Sequence, residues 1–94
     1  MTKKQKHYDR VARLGCVVCA LNGNPDTPAE LHHIRTGAGM GMKTTFENVI
    51  PLCPTHHRTG SYGVAFHQGA DKWQENFWTE LELLVLVREQ LGME

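Results

Sequence analysis

The chain has 94 residues, and its ten Lys/Arg are balanced by ten Asp/Glu, giving a formal net charge of zero. That length suits one domain with a modest core, a size that commonly leans on a metal or disulfide staple. The neutral balance argues against a binder that grips nucleic acid by bulk positive charge, and no apolar run is long enough to span a membrane.

No secretory leader pattern opens the chain, so a reduced, cytoplasmic setting is expected. Three cysteines cannot all pair with one another. In a reduced setting a Cys-x-x-Cys pattern reads as metal or redox chemistry rather than a structural disulfide. Charge is unevenly spread. Lys3, Lys4, Lys6, Arg10, Arg13, Arg35 and Lys43 outnumber Asp9, Asp26 and Glu30 in the first half, while the second half is acidic. A basic face on the front half is one reading of this; a solvated first helix is the other.

Residues Lys4–Leu14 read as a helix, with Tyr8, Val11, Ala12 and Leu14 on or near one face and Gly15 as its stop. His7 reads as surface. Cys16–Cys19 forms a turn of the zinc-knuckle type, and Asn22-Gly23-Asn24-Pro25-Asp26 is a loop. Glu30–Ile34 is a short strand carrying His32 and His33. The glycine-rich segment Gly37–Met42 matches neither the dinucleotide nor the Walker phosphate pattern, so it reads as a plain loop, with a substrate contact as the alternative. Asn48–Leu52 is a second short strand. Pro54 suits the first turn of a helix that carries His56, His57 and Arg58 and ends by Gly60. From Asp71 to Leu91 the pattern predicts one long helix, with Trp73, Phe77, Leu81, Leu84 and Arg88 mostly three or four residues apart. Leu83, Val85, Leu86, Val87 and Leu91 make this helix apolar on more than one side, which serves a core first and leaves a homodimer surface as the alternative.

The cysteines and most of the histidines fall into short clusters. Cys16, Cys19, Cys53 and His56 form a Cys-x-x-Cys plus Cys-x-x-His set, which suits a closed tetrahedral zinc site. A redox pair would instead call for a thioredoxin-like frame, and none is visible. His56 and His57 are adjacent, so on a helix their side chains diverge by about 100° and can face different ions. If His56 closes the zinc site, His57 is free to turn toward His32 and His33. Strand alternation lets one of that pair bind a metal while the other faces substrate. A cation to neutralise developing charge, beside an imidazole that accepts a proton near neutral pH, is what phosphodiester hydrolysis requires.

Leu31-His32-His33-Ile34, then Glu47-Asn48-Val49-Ile50-Pro51-Leu52-Cys53, then Pro54-Thr55-His56-His57-Arg58 resemble, in that order, the HNH or ββα-metal nucleases. The likeness covers about residues 16–67. The segment Gly63-Val64-Ala65-Phe66-His67-Gln68-Gly69, with Trp73, Glu75 and Phe77 after it, is similar to small phage proteins of the recombination-enhancement nuclease type. The resemblance implies a small α+β fold occupying residues 1–94 as one domain. In it a ββα-metal core with a structural zinc knuckle is flanked by an N-terminal helix and a longer C-terminal helix at about 71–91. It implies an endonuclease that hydrolyses DNA phosphodiester bonds. His33 would be the general base. His32, where Asp is common, and His57 would hold the catalytic divalent cation, which could be Mg2+, Mn2+, Ni2+ or Zn2+. Asn48 would brace the loop between the strands. Some members carry a further histidine four residues beyond His57. Ser61 stands there in this chain, and His67 is the expected substitute as third ligand. His56 replaces the usual fourth cysteine. Arg58 and Arg35 are candidate substrate contacts. The implied partners are DNA and a recombination or replication protein, in a phage or bacterial cytoplasm.

Two other functions fit less of the pattern. A non-catalytic zinc module binding DNA or protein would need only Cys16, Cys19, Cys53 and His56. A thiol redox protein would hold no zinc.

Overall fold

The computed structural model describes residues 2–34 and 46–92. Arg35 and the glycine-rich segment at 37–42 lie outside the described residues.

Helix α1, Lys3–Arg13, opens on a reciprocal cap: the Thr2 hydroxyl accepts from the Gln5 N–H, and the Gln5 side chain accepts from the Thr2 N–H. Val11 is buried on one face of this helix, and His7 lies one turn earlier on the same face. The surface reading of His7 is therefore corrected. Its ring is 7 % exposed and sits edge-on to Phe46 at 5.7 Å. Gly15 takes φ +76°, a left-handed conformation that suits a chain turning out of a helix.

The Cys16–Cys19 segment is not a free knuckle turn but the start of a short helix, α2, Val17–Leu21. Cys16 is its N-cap, with Sγ accepting from the Cys19 N–H at 3.5 Å. Strand β1, Glu30–His33, pairs antiparallel with β2, Val49–Leu52, in the register Glu30 with Leu52 and His33 with Val49. The Ile34 N–H donates to the Asn48 carbonyl at 2.9 Å, extending the pairing by one step at the base of the connecting loop. Both strands of this two-stranded sheet are edges, so Pro51 is tolerated within β2.

A sheet this small is not stable alone and needs a covered face. All of β2 is buried, with α1, α2 and α4 packed on it. Val11, Val18, Val49, Ile50, Leu52, Trp73, Leu83 and Val87 make up most of the resulting core. After β2 the chain makes a π-helical turn at Thr55–Thr59 and a 3-10 turn at Phe66–Gln68.

The expected single helix over 71–91 is two helices, α3 at Ala70–Asn76 and α4 at Glu80–Gln90. The break has a local cause. Phe77 leaves helical geometry at φ −119°, ψ −100°, and its ring packs on Trp73 and His56. Thr79 then starts a new helix through a capping box with Glu82. Gly69, at φ +136°, admits the 3-10 turn directly into α3; a Cβ there would meet the Tyr62 ring at 2.6 Å. Leu83, Leu84 and Val87 of α4 are buried, while Leu81 and Val85 remain exposed. No helix among the described residues is long and apolar enough to cross a membrane.

Candidate functional site

Two groups of metal-ligating side chains stand side by side, joined through adjacent residues of the π-helical turn. The first is Cys16, Cys19, Cys53 and His56, whose ligand atoms all lie within 4.8 Å of one another. The α2 cap supplies Cys16, the first turn of α2 supplies Cys19, the end of β2 supplies Cys53, and the π-helical turn supplies His56. His56 Nδ1 is 3.7, 3.5 and 3.2 Å from the sulfurs of Cys16, Cys19 and Cys53, and Cys19 Sγ is 3.8 Å from Cys53 Sγ. Around a tetrahedral zinc, S···S and S···N edges come to about 3.8 and 3.6 Å. A disulfide would need sulfurs about 2.05 Å apart, and all three cysteines are free. This group could hold a metal such as zinc. Burial pushes the Cys16 thiol up to about 12 and holds His56 below the usual imidazole value. Thiol ligands would give up their protons on binding a cation.

The second group is His32, His57 and His67, again with ligand atoms within 4.8 Å. His32 comes from β1 and is 2 % exposed; His57 comes from the π-helical turn and His67 from the 3-10 turn. His57 Nε2 and His67 Nε2 are 3.1 Å apart, near the tetrahedral N···N edge of about 3.3 Å. Each of the two inner imidazoles is held by a carboxylate. His57 Nδ1 donates to Glu30 Oε1 at 2.8 Å, and His32 Nε2 donates to Glu80 Oε2 at 2.6 Å. A carboxylate only accepts, so His57 Nδ1 and His32 Nε2 carry the hydrogens of these bonds. The other ring nitrogen of His57, Nε2, faces His67. Carboxylate-oriented histidine of this type is the usual support for a metal ligand. Phe66 covers the ring of His32 at a centroid distance of 4.3 Å. Burial, then the neighbouring His57 and His32, hold His67 below the ordinary imidazole value.

Glu30 has a second partner. Arg58 Nε and Nη2 donate to its two oxygens at 2.8 and 2.9 Å. The Arg58 fork first, and His57 second, hold the Glu30 carboxyl down to about 2. Arg58, a candidate substrate contact, is thus tied to the same carboxylate that orients His57.

His33 is not part of the trio. Strand alternation turns it to the other face of β1, where it is exposed, and its Nε2 lies 3.2 Å from the Tyr8 hydroxyl of α1. Asn48 sits at the base of the loop joining the strands, its carbonyl bonded to Ile34. Arg35 lies outside the described residues.

Glu30, Glu80 and Tyr8 were not singled out from the sequence. Glu80 is 48 residues from His32, and nothing in either local pattern links them. The one available signal is Thr79-Glu80-Leu81-Glu82, a capping pattern that marks a helix start and so places Glu80 at an N-terminus.

No curated protein matches the chain by sequence. The family model described as "Recombination enhancement, RecA-dependent nuclease" matches residues 1–92, a span that takes in both clusters and every described element. The chain therefore belongs to the family of recombination-enhancement, RecA-dependent nucleases.

Proposed function

We propose that this nuclease cleaves DNA phosphodiester bonds by an HNH-type mechanism on a ββα-metal core formed by β1, β2 and the π-helical turn. One observation carries the reading: three imidazoles converge within 4.8 Å beside, but separate from, a Cys3His group. A zinc module needs only the second of these. In this reading Cys16, Cys19, Cys53 and His56 hold a structural zinc, and His32, His57 and His67 hold a catalytic divalent cation. When bound, that cation supplies electrostatic stabilisation of the charge developing on the scissile phosphate. His33 takes the proton from the attacking water, with Tyr8 fixing its ring from behind. Glu30 and Glu80 hold the rings of His57 and His32 in place. Asn48 anchors the loop that carries the strand end bearing His33. Arg58 contacts substrate from its clamp on Glu30. The family description supports a RecA filament on DNA as the partner assembly.

The test is cleavage of supercoiled plasmid and of RecA-coated single-stranded DNA with Mg2+ or Mn2+, comparing wild type with His33→Ala. Zinc content is counted on both. The reading expects cutting by wild type and its loss in a variant that keeps its zinc. Wild type that leaves both substrates intact, with and without RecA, would overturn it.

A further inference from the structure

The segment between the two turns that carry His57 and His67 holds one aromatic side chain out in solvent. Tyr62 is 72 % exposed, the most exposed large apolar side chain among the described residues. Among those residues no other ring packs on it, whereas Phe66 and Phe77 both pack on Trp73. Exposure alone signifies little, since single exposed apolar side chains are common. What sets Tyr62 apart is a rigid mount and a position beside the histidine trio.

The backbone is fixed on both sides of Tyr62. The Ser61 carbonyl accepts from the Val64 and Ala65 N–H groups at 2.9 and 3.1 Å, and Tyr62 itself bridges to Ala65. The Gly63 carbonyl accepts from Asn76 Nδ2 at 3.1 Å. The ring rests on Gly69, where a Cβ would come within 2.6 Å of Tyr62 Cε2 and 2.7 Å of Cδ2. Gly69 is held in turn: its N–H donates to the Phe66 carbonyl at 3.3 Å, and its carbonyl accepts from the Trp73 N–H at 2.9 Å. An aromatic ring mounted this way loses little freedom when a flat partner stacks on it. The mount also sets its distance from the trio. Gly69 is two residues past the exposed His67, so their Cα atoms lie within about 7.6 Å. That is about two base steps of roughly 3.4 Å along a strand. Arg58, its guanidinium half-exposed in the clamp on Glu30, belongs to the same surface: its carbonyl accepts from Gln68 Nε2 at 3.4 Å, which ties the two turns together.

We propose that Tyr62 is a stacking platform for one unpaired base of the DNA strand, next to the phosphate that the histidine trio engages. Every base has a π-face, so the platform accepts any of the four and adds affinity and register rather than sequence choice. Inside a duplex both faces of a base are covered by its neighbours, so the occupant is single-stranded. A base held on Tyr62 fixes the strand within a nucleotide or two of His67, and Arg58 stands beside the connecting phosphate. The proposal deepens the nuclease reading and rests on it for the identity of the polymer.

The experiment measures binding, not cleavage. The full-length protein, as purified and without added divalent cation, is titrated from low to high salt with a fluorescent single-stranded oligodeoxynucleotide of mixed sequence. Its abasic analogue and the matching duplex are titrated in parallel. Wild type is compared with Tyr62→Ala and with Tyr62→Phe, which keeps the ring. Melting curves and zinc content are recorded for each. Tyr62→Ala should bind the single strand about 5- to 150-fold more weakly, the range for one stacked base. Its salt slope should match that of wild type, because no phosphate contact is lost. Tyr62→Phe should bind like wild type. The abasic strand should bind wild type more weakly than the intact strand, and Tyr62→Ala should weaken neither the abasic strand nor the duplex further. A Tyr62→Ala variant that binds the single strand like wild type overturns the platform. So does a Tyr62→Phe variant as weak as Tyr62→Ala, or a wild type with no measurable binding to the single strand at low salt. Failure of the plasmid test with the expected binding results intact would overturn the catalytic reading alone.

Discussion

Glu80 shows what one residue decides here. It is buried at 2 % exposure, and its carboxylate accepts from the equally buried His32 at 2.6 Å. Glu80→Gln keeps the shape but replaces the carboxylate that, in the proposed reading, makes His32 a stronger donor to a cation. Affinity of the histidine trio for Mn2+ or Ni2+ should fall about 10- to 100-fold, measured by calorimetry on protein whose Cys3His site is already zinc-loaded. Glu80→Ala should in addition destabilise the fold by about 1–3 kcal/mol, because the His32 N–H is left buried without an acceptor. Unchanged affinity in both variants would mean that His32 is held by packing alone. Cys16 carries a pH prediction of the same local kind. With no ion bound, its raised pKa means that folding favours the thiol; that contribution is complete below the ordinary value of 9.0 and is lost as pH rises toward about 12. With an ion bound the thiolate is required, so protons compete with zinc. Zinc affinity should rise with pH near neutrality, by about tenfold per unit for each proton displaced. Chelator competition at several pH values measures it, and a flat profile would count against thiolate coordination.

At the scale of elements, the break between α3 and α4 is what delivers Glu80. One unbroken helix over 71–91 would have no N-terminus near residue 80. The observed break makes Glu80 the first residue of α4, directly after the Thr79 cap and bonded through its N–H to Gln74 Oε1 at 3.0 Å. Thr79→Ala removes one half of the capping box. It should cost about 1 kcal/mol in chemical denaturation, and the fraying should also loosen the Glu80–His32 bond. A denaturation midpoint equal to that of wild type would show that tertiary packing alone holds the α4 start. The π-helical turn at Thr55–Thr59 has a comparable role: it presents His56 to the cysteines and His57 to His32 and His67 within one short segment.

For the whole molecule, the Cys3His group joins parts of the chain that share little else. Cys16 and Cys19 come from α2, Cys53 from the end of β2 and His56 from the following turn, around a sheet of two four-residue strands. A core this small leaves little stability in reserve. Removal of zinc by a strong chelator, or Cys53→Ala, should therefore unfold the domain, seen as loss of the cooperative melting transition, because ion binding in such a fold is folding free energy. A melting curve unmoved by chelator would contradict this.

Much of the local structure was legible from residues alone. The Gly15 helix stop, the apolar run through β2, and the Cys-x-x-Cys and Cys-x-x-His spacings are all written within a few neighbours, where backbone geometry leaves few choices. The adjacency of His56 and His57 likewise required two directions of approach. What only the tertiary structure decided are the contacts that span the chain. Glu30 reaches His57 and Arg58, Glu80 reaches His32, and Tyr8 reaches His33. His7, which looked like a surface residue, ends in a cavity wall because α1 packs its Val11 face onto the sheet. Local chemistry determines which side chains can bind a proton or a metal. Which carboxylate stands behind which imidazole depends on how α1, β1 and α4 pack, and no short stretch of sequence encodes that.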